Sequence, residues 1–315
     1  MILVVSHPGD DHALEVLAAL ERGGHRAVMV DTAEFPGHSS LAMHYEDARL
    51  HRQFSVNGGE ALDLGEFRVG WWRRPQPFTV EAAMAPEVAA FAYAECHEAI
   101  AGLWATLDLK WVNPPVQDEV AHHKPYQLAI AAEVGLPIPR TLVTNDPAAA
   151  RKFVSERESG RTIYKTFLAS PQCWRETRVV QPDEVALLDL VRLAPVIFQE
   201  YVPAVADIRV TVMGERMFAA AITAAPGGYD IDYRMDMAGA TFRPTALPDA
   251  TKKKIAQLMK RLGLVYGAID LRRTPEGAYV FLEVNPAGEW RFVEERTGQP
   301  MTDSFAEMLV EFARQ

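Results

Sequence analysis

Asp270, Glu283 and Asn285 are three oxygen-bearing side chains whose spacing could hold a hard cation. They lie in residues 266–290, YGAIDLRRTPEGAYVFLEVNPAGEW, where two apolar runs flank Pro275-Glu276-Gly277. That pattern signals a β-hairpin. A four-residue loop, Pro275 to Ala278, sets Asp270 opposite Glu283, and strand alternation puts Glu283 and Asn285 on one face. Two carboxylates and an amide oxygen are the hard ligands that Mg²⁺ prefers. Acids at strand positions that otherwise read as core need a partner, because an unpaired buried carboxylate is costly. The same spacing also fits an ordinary hairpin whose acids face water.

Other residues could do related chemistry. Lys165, near the end of the apolar run Thr162–Phe167, and Lys124, at the start of a helical stretch, are either solvated residues or point charges for a phosphate. The run from Val196 reads as a strand ending in Gln199-Glu200-Tyr201-Val202, a connector whose main chain could meet a purine edge. Just downstream, alternation places Asp207 and Arg209 on one face, as a ligand-facing pair or as a surface ion pair of small energy. In Trp71-Trp72-Arg73-Arg74-Pro75 the tryptophans read as core. Arg73 and Arg74 fall at a strand's C-terminal end, where open α/β sheets place ligands. A guanidinium there can fork a carboxylate or phosphate, which makes both arginines candidates for substrate contact. No Ser/His/Asp or Cys/His set offers itself for covalent catalysis.

The elements that must position these groups follow from the apolar pattern. Residues 1–115 read as an open α/β unit: a strand Ile2–Val5, a helix Ala13 to Arg22 ending at Gly23-Gly24, and a strand Ala27–Val30. A further strand, Val69–Trp72, precedes an Ala/Glu-rich helical region from Val80 to Leu107, and Pro114-Pro115 reads as a linker. Residues 116–195 and 196–315 form mixed α+β regions. The second holds the antiparallel pair Ile208–Met213 with Arg216–Thr223 around Gly214-Glu215 and a closing helix from Met301 to Arg314. With 315 residues, 49% of them hydrophobic, the chain is long enough for two or three sub-domains. A net charge of −10 argues against a nucleic-acid partner. The two cysteines, Cys96 and Cys173, lack metal-site spacing and fit a reduced, cytoplasmic setting. The apolar run at residues 1–5 is too short for a signal peptide or a membrane span, so no membrane partner is expected.

Two resemblances follow. The first loop, His7-Pro8-Gly9-Asp10-Asp11-His12, is similar to the HPDD signature of zinc-dependent sugar deacetylases. Gly9 shifts the acids out of register, and His38, His44, His122 and His123 supply no completing motif, so a polar strand-to-helix loop is expected there. The second covers nearly the whole chain. Lys124, Gly135-Leu136-Pro137-Ile138-Pro139-Arg140-Thr141, Lys165, Gln199-Glu200-Tyr201-Val202, Asp207-x-Arg209 and Asp270…Glu283-x-Asn285-Pro286, in that order, resemble the ATP-grasp superfamily. Within it, WWRRP at 71–75, LEVNPAGEW at 282–290 and EERTGQPMTDSFAEML at 294–309 resemble the RimK-like ligases that mature microviridins and related graspetides. One departure is the segment 167–174, FLASPQCW, which lacks a glycine-rich phosphate loop.

That resemblance implies an ATP-grasp fold: an N-terminal open α/β (pre-ATP-grasp) domain followed by two α+β lobes enclosing ATP. It implies Lys124 and Lys165 near the phosphates, the main chain of Tyr201 and Val202 at adenine with Glu200 beside it, and Asp207 near the ribose. Asp270, Glu283 and Asn285 would hold Mg²⁺. Arg209 and Arg234 are candidates for holding the acyl phosphate or acceptor carboxylate, with Arg272 as a further substrate contact. The implied substrate is a ribosomal precursor peptide, leader plus core, whose Asp or Glu side chains become ω-esters or ω-amides. Leader recognition is expected at the 208–223 hairpin, where Met213, Met217 and Phe218 would offer apolar surface. A homodimer is also implied. A RimK-type or dipeptide-forming ligase uses the same acyl phosphate, and a non-catalytic ATP- or peptide-binding protein remains the reading of another class.

Overall fold

The computed structural model describes residues 1–47, 49–56, 58–59, 61–156, 161–167, 177–225, 235 and 237–315. The chain divides into two compact units: residues 1–118 with 263–266 and 300–315, and residues 119–262 with 267–299. Among the described residues no helix is long and apolar enough to cross a membrane.

The first unit begins with β1 (Ile2–Val5), α1 (Asp11–Arg22) and β2 (Ala27–Val30). A three-stranded antiparallel insert follows: β3 (Ser40–Glu46), β4 (Arg49–Ser55) and β5 (Ala61–Asp63). Then come β6 (Val69–Trp72), α2 (Pro86–Thr106) and β7 (Lys110–Val112). Strands β2-β1-β6-β7 form one sheet, all parallel. Every residue of β1 is buried, as a strand covered on both faces must be. The paired tryptophans are core residues. Trp72, Trp104 and Trp111 meet edge to face with centroids 6.0–6.1 Å apart. A Cβ at Gly70 would lie 2.5 Å from the Trp111 ring, so this position admits only glycine. Trp71 packs at 4.6 Å on Phe305.

Two expectations for this unit change. Pro115 is not in a linker but opens a helix, α3 (Pro115–Ala121), where its missing N–H costs nothing. Arg73 is not at a substrate-facing surface: it is 1% exposed, with Nε 2.9 Å from Oδ2 of Asp10. Asp10, also 1% exposed, accepts from Ser6 Oγ at 2.8 Å and caps α1 through His12 N at 3.2 Å. The His7–His12 segment is thus a strand-to-helix loop built around an ion pair. Arg74 is half-buried and its N–H donates to Val5 O.

The second unit contains α4 (Lys124–Glu133), β8 (Thr141–Thr144), α5 (Pro147–Ser155), β9 (Thr162–Lys165) and β10 (Arg178–Val179). A 3-10 helix follows at Glu184–Leu193. Beyond it run β11 (Val196–Glu200), β12 (Ala206–Met213), β13 (Arg216–Thr223), β14 (Thr241–Pro244) and α6 (Asp249–Leu262). The chain finishes with β15 (Tyr266–Arg273), β16 (Tyr279–Asn285), α7 (Arg291–Thr297) and, back in the first unit, α8 (Met301–Ala313). Two sheets result, ordered β10-β9-β11-β8 and β14-β13-β12-β15-β16.

The Asp10–Arg73 pair yields a stability prediction. Burial raises the Asp10 carboxyl, but the Arg73 charge, hydrogen bonds from Arg73 and Ser6, and the Arg74 charge outweigh it and hold the pKa below its ordinary value. A lowered folded pKa means stability that is present above the unfolded value and lost as pH falls through the folded one. Arg73→Leu strands that carboxylate and should cost about 3–5 kcal/mol in urea unfolding at pH 7. The loss of stability below about pH 4 should be smaller in the variant than in the parent. Equal urea midpoints at pH 7 would show the pair to be dispensable.

Candidate functional site

The β15–β16 hairpin sets Asp270 opposite Glu283 and Ala268 opposite Asn285. The expected pairing is reached by a different route. The turn is one residue shorter than expected: Thr274 N already donates to Ala278 O at 2.9 Å, with Gly277 at φ 86°, and Arg273 pairs with Tyr279. A β-bulge beyond Asp270 then leaves Leu282 as an extra residue and restores the offset. Glu283 and Asn285 therefore share a face with Asp270.

Each carboxylate on this face meets a cation. Arg209 Nη1 lies 3.0 and 2.9 Å from the two Asp270 oxygens, and its Nη2 donates to Glu289 O at 2.9 Å. Arg272 Nε stands 3.1 Å from Asp207 Oδ1. Asp207 and Arg209 each pair across the seam between β12 and β15. Lys124 Nζ donates to Glu283 Oε2. Arg272 is buried and its Cζ lies 5.1 Å from the Tyr201 ring centroid, with Arg161 Cζ at 3.9 Å. Arg272 is therefore an internal brace of the Tyr201 segment and not an exposed substrate contact.

Gln127, one turn along α4 from Lys124, was not singled out by its sequence. Its Nε2 donates to Ala121 O and Val284 O at 2.6 and 2.7 Å, and its Oε1 accepts from Val284 N at 3.0 Å. Strand β16 is the outer strand of its sheet. Gln127 thus replaces a missing neighbouring strand and sets α4 so that Lys124 reaches Glu283. Gly288 is the second unforeseen residue: a Cβ there would lie 2.3 Å from Ala268 Cβ and 3.1 Å from Arg209 Nη2. Two small residues let residues 286–290 lie on the sheet, anchored by Trp290 at 0% exposure. Asn285 Oδ1 accepts from Ala287 N at 3.1 Å.

The remaining expected residues are placed as follows. Glu200 ends β11 opposite Thr162, and Lys165 on β9 pairs with Ile197. Both lie in the other sheet of the unit. Tyr201 N donates to Arg161 O at 2.9 Å, so a purine edge seeking a main-chain N–H would find it one residue on, at Val202. Arg234 lies outside the described residues. Met213 is 1% exposed and belongs to the core, so it supplies no apolar docking surface.

The oxygen set suits a hard divalent cation. Asp270 and Glu283 keep 17% and 19% of their side chains exposed. A carboxylate forked by one arginine still has lone pairs on its outer edge. Among the described residues no group of three or more His, Cys, Asp or Glu is gathered, so Asn285 would have to complete the set.

The crowding at Gly288 is open to test. Gly288→Ala should destabilise the protein, and Ala268→Gly in the same chain should restore part of the loss. A double-mutant cycle by urea unfolding should read a coupling of about 0.5–3 kcal/mol. Additive effects would mean that the two residues do not limit each other.

Known proteins share these features over part or all of the chain. A family model described as the MvdD pre-ATP grasp domain matches residues 1–119. The macrocyclase MdnC of Microcystis aeruginosa, solved with precursor peptide MdnA, is 29% identical and superposes with a TM-score of 0.87, covering 98% of this chain and 99% of that one. A RiPP-associated ATP-grasp ligase of Chryseobacterium gregarium, in complex with ADP and a leader and core peptide, shares the fold at 24% identity. Its TM-score is 0.87, over 98% of this chain and 96% of that one. A probable alpha-L-glutamate ligase 2 of Shewanella amazonensis is 29% identical over 119 residues, a match spanning 37% of this chain and 38% of that protein. The chain has the fold of the ATP-grasp ligases, opens with a match to the MvdD pre-ATP grasp domain, and is similar to the macrocyclase ligases of the microviridin and graspetide group.

Proposed function

We propose that the protein is an ADP-forming ATP-grasp ligase that closes side-chain macrocycles in a ribosomal precursor peptide. The observation that carries this reading is the full-length likeness to MdnC, a macrocyclase solved with its precursor peptide, together with the compensated acid cluster of the β15–β16 hairpin. An Asp or Glu side chain of the peptide attacks the γ-phosphorus of ATP, releasing ADP and leaving an acyl phosphate. A Ser or Thr hydroxyl, or a Lys amine, of the same peptide then attacks that carbonyl. Phosphate leaves, and an ω-ester or ω-amide remains.

Such chemistry needs positioning and charge neutralisation more than a covalent nucleophile. Mg²⁺, when bound, neutralises charge on the transferring phosphoryl group. Asp270, Glu283 and Asn285 are the residues that would hold it. Lys124 and Lys165 offer point charges to the phosphates. The hinge at Glu200, Tyr201 and Val202 meets adenine, and Asp207, fixed by Arg272, stands toward the ribose. Arg209, itself fixed by Asp270 and Glu289 O, faces the reacting carboxyl; Arg234 and Arg74 are assigned to substrate by resemblance and position. The domain division is 1–115, 116–195 and 196–315, and the protein works as a cytoplasmic homodimer.

The peptide also needs a surface. Leu187, Leu190 and Leu193 recur at the three-residue period of the 3-10 helix and are 57%, 53% and 75% exposed. They stand beside a groove lined by Tyr164, Val180, Val196 and Phe198. Apolar side chains of a peptide could dock on this row. The glutamate-ligase relative favours a second reading, a RimK-type ligase that adds a free amino acid to an acceptor carboxylate.

Incubation with ATP, Mg²⁺ and a Thr/Ser- and Asp/Glu-rich precursor peptide should remove one water mass per ring by mass spectrometry. ATP turnover with a free amino acid and an acceptor, but never with the peptide, would favour the second reading. Glu283→Gln should abolish ring formation while peptide binding persists by anisotropy. Full activity in that variant would remove Glu283 from the metal site. Leu190→Asp should weaken peptide binding and leave ADP affinity unchanged.

A further inference from the structure

The outer face of the β3–β4–β5 sheet carries two imidazoles directly opposite one another. His44 on β3 pairs in register with His51 on β4. Leu41, Met43, Phe54 and Leu62 pack against the core of their unit, so alternation turns His44 and His51 to the opposite face. Both are exposed. Directly opposed residues of antiparallel strands have Cβ atoms about 4.5–5.5 Å apart. That separation lets two imidazole nitrogens approach one ion at the usual distance of about 2.0–2.1 Å.

Their surroundings favour a cation. Among the described residues neither imidazole has a hydrogen bond or an ion pair. The same face carries Glu46 two residues from His44 and Gln53 two residues from His51. Arg49, a cation on that face, stands opposite Glu46 in the strand register. A merely structural role is hard to assign, since two exposed histidines facing each other add no buried area and repel when protonated.

We propose that His44 and His51 form a two-histidine chelate for a borderline divalent cation of the Cu²⁺, Ni²⁺, Zn²⁺ class. Imidazole donors select these ions over Mg²⁺, which prefers oxygen. The site therefore differs in chemistry from the oxygen set at Asp270, Glu283 and Asn285. No third His, Cys, Asp or Glu is gathered with the pair among the described residues, so water completes the coordination and the ion exchanges readily.

The test is calorimetric titration of the full chain with Ni²⁺ in metal-free buffer without nucleotide. One equivalent should bind. His44→Gln and His51→Gln should each weaken binding about tenfold or more, because either breaks the chelate. The double variant should be little weaker than either single one. His38→Gln, an exposed histidine outside the pair, should bind as the parent does. Ni²⁺ should also raise the melting temperature of the parent and not of His51→Gln, since the ligands meet only in the folded sheet. Undiminished binding in both single variants would overturn the proposal. So would a loss of binding that follows Glu283→Gln and not the histidine substitutions.

Discussion

The face shared by β12, β15 and β16 depends on charge compensation. Asp207, Asp270 and Glu283 are each largely withdrawn from water, and each stands against a cation: Arg272, Arg209 and Lys124. A carboxylate in that position without a partner would either destabilise the sheet or take up a proton. The register of the strands is therefore fixed twice, once by the apolar residues that alternate with these acids and once by the need for each acid to find its base. Acid-then-base on β12 faces base-then-acid on β15. A slip of two residues would keep the faces but bring like charges together.

Holding such a face open to solvent on one side requires support from groups with no charge. Gln127 covers the outer main chain of β16 at Val284, and Phe281 N donates to Pro137 O at 2.8 Å, so the last strand of the sheet is capped at both positions. Gly288 and Ala268 supply the opposite service, since their lack of bulk lets the chain after Asn285 return across the sheet and deliver Glu289 O to Arg209. Arg209 then has a carboxylate and a carbonyl for its fork, which leaves its guanidinium a single orientation.

Much of this was legible in the sequence, for definable reasons. The parallel strands of the first unit are short continuous apolar runs, and the hairpin at 266–285 announces itself by its turn. The Asp270–Glu283 pairing followed from counting residues across that turn, although the real chain reaches it through a shorter loop and a compensating bulge. A bulge leaves no mark in a period-two pattern. Residues 40–63 were missed as strands because histidine and arginine occupy their solvent face and blur the alternation of Leu41, Met43, Phe54 and Leu62. Arg73 and Arg272 read as ligand groups because composition cannot distinguish an arginine that faces a substrate from one that neutralises Asp10 or Asp207. Gln127 carried no signal at all, since a glutamine within a helix is ordinary until its amide is seen on a strand's edge.

The three cations differ in how readily they can change partners. Arg209 is held between Asp270 and Glu289 O, Arg272 stands with its Nε against Asp207, and 7% of each side chain is exposed. Lys124 is a point charge on a flexible stem with 23% exposed. In the proposed reaction an anionic nucleotide and a divalent cation arrive together, and the cluster of three acids and three bases must reorganise without leaving a buried charge alone. Moving an arginine would strand a forked carboxylate in the sheet. Moving Lys124 from Glu283 to a phosphate frees an oxygen ligand and satisfies an incoming charge in one displacement of a side chain. The division of labour follows from side-chain chemistry: arginines keep the sheet in register, and the lysine is the partner that can be exchanged.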